Sequence, residues 1–196
     1  ERFRRYQSRW VCNTPASFTA QARMMSAVDL TPEYAKFQAA TLFIGAMHDV
    51  SAPVADQVIR AVKPLRFDHL LDIGGASGTW TIAFLRACHS ARATLFDLPH
   101  VIPMARRRVT AAGFLHRVKL VPGDFAVAVL PSGADLAWIS AIVHQNSRAQ
   151  NRALFTKVFQ ALTPGGRIAI RDILMEETRT HPVAGALFAV NMLVST

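Results

Sequence analysis

The chain alternates short apolar runs with helical spacing from Phe67 onward. One of those runs, Leu70 to Ile73, empties into the glycine turn Gly74-Gly75-Ala76-Ser77-Gly78. Five strands read from this pattern: Leu70 to Ile73, Ala93 to Phe96, Val118 to Val121, Leu136 to Val143 and Arg167 to Leu174. Between them, helices are expected from Gly78 to His89 and from about Pro99 to Ala112. A third opens at Ser147, where Ser147 and Gln150 have capping-box spacing, and closes at Thr163-Pro164-Gly165-Gly166. Strands joined by helical crossovers predict an α/β fold, a Rossmann-like, doubly wound and mostly parallel sheet. Ligands of such a sheet lie at the carboxyl ends of its strands. Residues 1 to about 64 contain no strand pattern. Thr31-Pro32-Glu33 starts a helix there, with a hydroxyl cap and proline at the first position.

The glycine turn selects the kind of ligand. A dinucleotide fingerprint requires G-x-G-x-x-G, whereas this turn reads Asp72-x-Gly74-Gly75-x-x-Gly78, with a carboxylate just ahead of the glycines. A carboxylate repels a pyrophosphate and suits a ligand bearing an amino group. S-adenosylmethionine carries a ribose, an ammonium and a sulfonium but no phosphate, so the turn reads as a methyl-donor site.

Five side chains follow strand ends and are the candidates for chemistry: Asp72, Asp97, Asp124, His144 and Asp172. Asp72 receives the donor's ammonium or ties down the turn. Asp97, nineteen residues after Gly78, is at the separation of a ribose-binding carboxylate; the alternative is a cap on the Leu98-Pro99 turn. Asp124 accepts from an adenine amine while Phe125 lies against the ring, or it simply makes a turn. His144 is the candidate base, able to remove a proton from an acidic hydroxyl as the oxygen attacks a methyl carbon. Asp172 would orient it, and a structural hydrogen bond is the alternative role for His144. His48 is the rival base, or else it lines a pocket.

Composition excludes several classes. With 196 residues, 51% of them apolar and 18% charged, the chain suits one substantial core and a small appendage. Its most apolar stretch, Pro182 to Val194, is too short to span a bilayer, and the sequence is expected to be cytoplasmic. Cys12 and Cys88 form no metal or disulfide pattern, so no metal is expected. The net charge of +9 could attract a polyanion, but the two arginine clusters, Arg2 to Arg9 and Arg106 to Arg108, lie far apart in sequence. Nucleic acid is therefore not the expected partner. The chain starts without methionine and stops inside a helical pattern, and it reads as a fragment.

Taken in order, several strings resemble one family: Leu71 to Gly78, Phe96-Asp97-Leu98-Pro99-His100-Val101-Ile102, Gly123-Asp124-Phe125, His144, Leu162 to Gly166, and Asn191-Met192-Leu193. The sequence resembles S-adenosylmethionine-dependent O-methyltransferases of the class that includes caffeate, flavonoid and acetylserotonin methyltransferases and bacterial tailoring enzymes. The resemblance implies methyl transfer to the hydroxyl of a small, aromatic or polyketide-like molecule, with His144 as base and Asp172 as its acidic neighbour. Cofactor contacts are implied at Asp72, Gly74, Gly75, Gly78, Asp97, Asp124, Phe125, Ser140 and Ser51. Acceptor contacts are implied at Phe43, Met47 and Asn191. It also implies a homodimer, with 1–64 as the tail of a missing N-terminal dimerisation domain and 65–196 as a catalytic domain truncated at its C-terminus.

Three departures stand out. Ala76 replaces a usual glycine, Gln145-Asn146 replaces the Asp-Trp that commonly follows the base, and Ser140 stands where many members carry lysine. The second departure keeps open a relative that holds the donor as a scaffold for decarboxylation or hydroxylation. A nucleic-acid methyltransferase and a donor-sensing module without chemistry are the remaining readings.

Overall fold

A computed structural model describes residues 32–62 and 66–195, with side chains placed for 43–62 and 66–190. The chain divides into two compact units: Lys36–Asp172, which holds the sheet, and a second that includes the chain from Ile173 onward. From Ile173 onward the described residues contain one helix, Val183–Ser195.

Helix α1 (Pro32–Val62), which belongs to the larger unit from Lys36 onward, is followed by β1 (His69–Ile73), α2 (Thr79–Ala87), β2 (Arg92–Asp97), α3 (Ile102–Ala111), β3 (Val118–Pro122), β4 (Ala134–Ser140), α4 (Arg148–Ala161) and β5 (Leu162–Arg171). All pairings are parallel, in the order β3-β2-β1-β4-β5. The expected doubly wound α/β sheet is what the chain forms. The expected hydroxyl cap at Thr31 lies outside the described residues, and α1 begins at Pro32.

Side-chain alternation explains the two-sided core. Leu70, Leu95, Leu136 and Trp138 pack with Val58 and Ile59 of α1, Phe84 and Leu85 of α2, and Ala105 and Val109 of α3. Leu71, Ile73, Ala137 and Ile139 turn the other way, onto Leu154, Val158 and Ala161 of α4. On α1 the buried positions Ile44, Ser51, Ala55, Val58 and Ile59 recur at helical spacing and form one face.

Three strand boundaries differ from expectation by three residues or more, β5 ending at Arg171 rather than Leu174. β4 stops at Ser140 rather than running to Val143, because Ala141 adopts a left-handed backbone (φ +58°) and Val143–Gln145 closes a 3-10 turn. His144 is thereby carried off the strand. The sequence Thr163-Pro164-Gly165-Gly166 does not separate α4 from β5, since the strand starts at Leu162, paired with Ala134. A register shift before Leu136 pairs with Arg167 absorbs the extra residues, with Gly165 at φ +79°. The expected cap at Ser147 forms as a full box with Gln150.

Candidate active site

The carboxyl ends of the strands share one edge, and the turn after β1 is its centre. Gly74 (φ +65°) donates its N–H to Phe96 O across the β2 strand, and Gly78 (φ +84°) caps α2. A Cβ on Gly75 would lie 2.6 Å from Leu95 Cγ and 2.9 Å from Asp72 Cγ, so only glycine fits beneath the turn.

Asp97 ends β2 and holds this turn. Its Oδ2 accepts from the Ala76 amide at 2.7 Å, and its Oδ1 accepts from the Leu98 amide at 2.7 Å. The contact to Leu98 is the capping arrangement expected as the alternative role of Asp97, and the contact to Ala76 joins β2 to the glycine turn. Burial raises its pKa, opposed by these two amide bonds. Each carboxylate oxygen keeps a second acceptor site, which suits the two hydroxyls of a ribose.

Asp72 lies deeper. It is 1% exposed, on the face of β1 covered by α2, where its Oδ2 accepts from Thr81 Oγ1 at 2.5 Å. Burial pushes its pKa up to about 7, and the nearby Asp97 charge adds to the rise. The bond ties β1 to α2 beneath the glycine turn.

Asp124 Oδ1 accepts from the Ala126 amide at 2.8 Å, an Asx-type turn that sets Phe125 against the α4-side core. Lys157 of α4 anchors the same loop, donating to the carbonyls of Phe125, Ala126 and Ala128 at 3.0, 2.8 and 3.1 Å. Nothing in the sequence marked Lys157, which lies about thirty positions away on a helix with ordinary polar spacing.

His144 and Asp172 meet as a pair. The imidazole Nδ1 is 2.6 Å from Asp172 Oδ1, and the His144 backbone amide donates to Oδ2 at 3.2 Å. The side chains are 15% and 6% exposed. A carboxylate on Nδ1 assigns the proton there in the neutral ring and leaves Nε2 as the basic nitrogen.

Ser140 accepts from Arg171 Nη1 at 3.3 Å, a partner that sequence reasoning missed. On α1, Phe43 is 57% exposed, Met47 is half-buried and Ser51 is buried. His48 Nδ1 lies 2.7 Å from Thr79 Oγ1 at the start of α2, and burial, then the Arg108 charge, lower its pKa. Asn191 falls on the helix of the second unit, and its side chain is outside those described. Among the described residues no helix is long and apolar enough to cross a membrane.

A parallel sheet with this turn, an acidic β2 terminus and a His–Asp pair at the same edge is an α/β architecture of the nucleoside-cofactor-binding type. The chain belongs to the O-methyltransferase domain family, which it matches over residues 17–196. It is 34% identical over 146 residues to the 3-hydroxy-5-methyl-1-naphthoate 3-O-methyltransferase of Streptomyces sahachiroi, covering 74% of this chain and 42% of that one. It is 30% identical to the tetracenomycin polyketide synthesis 8-O-methyltransferase of Streptomyces glaucescens, over 95% of this chain and 55% of that one. Among solved structures, the mitomycin 7-O-methyltransferase superposes with a TM-score of 0.71 at 32% identity, over 78% of this chain and 44% of that one. The chain spans about half the length of the curated relatives it matches.

Proposed function

We propose that this chain carries the donor-binding and catalytic portion of an S-adenosylmethionine-dependent O-methyltransferase acting on a hydroxyl of a small aromatic or polyketide-type molecule. The observation that carries the reading is the His144–Asp172 pair on the same sheet edge as the Asp97-held glycine turn. The residues fit the cofactor. Asp97 offers acceptor sites to a ribose, Asp124 and Phe125 flank the position of an adenine, and Gly74, Gly75 and Gly78 keep the turn close. Ser51, Ser140 and Asp72 are assigned to the donor side, and Phe43, Met47 and Asn191 to the acceptor.

When bound, the cofactor supplies a methyl group already activated by a positive sulfur. The protein's task is then positioning and one proton transfer. His144 Nε2 would take the acceptor hydroxyl's proton as the methyl group passes from sulfur to oxygen, the carbon–sulfur bond breaking to leave a neutral thioether, and Asp172 would stabilise the imidazolium that results. The relatives that act on a hydroxynaphthoate and on a polyketide support the acceptor class. The full protein is proposed to be a cytoplasmic homodimer, with 1–64 as the tail of an N-terminal dimerisation domain and 65–196 as part of the catalytic domain.

The deciding experiment is methyl transfer from labelled S-adenosylmethionine to a panel of phenols, using the full-length protein and its His144→Ala variant. Product that falls at least a hundredfold in the variant, with donor affinity unchanged, supports the reading. Gln145-Asn146 after the base favours one alternative, in which the donor is a scaffold; a substrate converted with the donor intact would establish it.

A further inference from the structure

Arg171 ends β5 with its guanidinium 5.0 Å above the centre of the Trp80 ring, and its only hydrogen bond among the described residues is the 3.3 Å contact to Ser140 Oγ. A guanidinium has five N–H donors, so most of its donors lack protein partners in a half-buried setting. Asp172 is the adjacent acid, but its two oxygens are engaged by His144. Burial lowers the Arg171 pKa and the Asp172 charge opposes this, yet an arginine stays protonated at any accessible pH.

We propose that Arg171 is a specificity-determining residue that receives a carboxylate carried by the acceptor molecule. Ser140 and Arg171 are register partners on β4 and β5, so both side chains turn to the same sheet face, that of α2 and Trp80. The short serine leaves room there for the guanidinium. Sheet order favours the acceptor as the bound molecule that brings the anion, Ser140 being the one proposed donor contact on this side of β1. The donor side runs from the turn after β1 to Asp97 on β2 and to the loop after β3. β5 lies two strands from β1 in the opposite direction, about 10 Å away, on the side of His144. A guanidinium is a planar fork whose paired N–H groups match a carboxylate in bidentate geometry, and the Trp80 ring helps to hold it in place. The acceptor class is thereby narrowed to hydroxyaromatic acids, ionised at neutral pH. The assignment of sides rests on the O-methyltransferase reading.

The test is calorimetric binding of 3-hydroxynaphthoic acid and its carboxamide to the full-length protein held with S-adenosylhomocysteine. The acid is expected to bind at least about tenfold tighter than the amide, from charge-assisted bonds that the amide cannot make. Arg171→Met should abolish that ratio and Arg171→Lys should recover part of it, with S-adenosylhomocysteine affinity within about twofold throughout. If the Arg171→Met substitution impairs folding in a thermal melt, Arg171→Gln reads the same ratio. A ratio that persists without the arginine, or equal binding of acid and amide by the wild type, overturns the proposal. So does a loss confined to S-adenosylhomocysteine affinity, which would assign the guanidinium to the donor's own carboxylate. Because binding is the readout, failure here is distinct from absence of labelled methyl transfer, which would overturn the O-methyltransferase reading itself.

Discussion

The Ala76 amide donates to Asp97 Oδ2 at 2.7 Å, and it does so from a left-handed backbone, φ +48°. A non-glycine residue there carries steric strain of about 1 kcal/mol, held in place by the Asp97 bond and the turn around it. Ala76→Gly is expected to stabilise the fold by roughly 0.5 to 1 kcal/mol, less than the full strain because glycine adds freedom to the unfolded chain. Thermal unfolding checks the sign; a lower midpoint in the variant would contradict it.

Asp172→Asn should leave donor affinity intact and lower methyl transfer by about ten- to a thousandfold, since the imidazolium formed at His144 loses its counter-charge. Single-turnover rates with labelled donor separate this from a binding defect. An unchanged rate would reduce Asp172 to a scaffold for the His144 loop.

Asp72 makes stability depend on pH. Its folded-state pKa, about 7, lies above the ordinary value of 3.8. Its contribution therefore favours the fold at low pH and is lost as pH rises from about 4 through 7. Asp72→Asn keeps an acceptor for Thr81 and removes the buried charge. The variant is expected to exceed the wild type in stability at pH 8, by up to a few kcal/mol, and to converge with it near pH 4. Urea unfolding at the two pH values measures the difference.

Gly75→Ala places a methyl within 3 Å of both Leu95 and Asp72. Overpacking of this kind should cost about 1 to 3 kcal/mol and displace the turn. Weakened S-adenosylmethionine binding by calorimetry, accompanied by a lower melting midpoint, is the expected result.

The parallel sheet was readable because its apolar runs and helix starts are local signals, and Ser147 with Gln150 is the clearest of them. The depth of Asp72 was within reach of the same logic. Leu71 and Ile73 face α4, so strand alternation puts Asp72 with Leu70 on the covered α2 side. Other features had no local signature. The early start of β5 depends on Leu162 finding Ala134 across the sheet, which overrides the breaking tendency of Pro164 and Gly165. The end of β4 depends on a left-handed alanine, a conformation its side chain disfavours. Arg171 reads in sequence as one more surface arginine until Trp80 and Ser140 are brought beside it.

The order β3-β2-β1-β4-β5 also divides the chain by inheritance. Everything proposed to meet the donor from the sheet's first three strands lies between Asp72 and Phe125, while the base, its acidic neighbour and the arginine fall between Ser140 and Asp172. Mutational drift in the later stretch, Ser140 aside, can therefore retune what is recognised without disturbing the supply of the transferable group. A scaffold so partitioned is free to diversify on one side while remaining constant on the other.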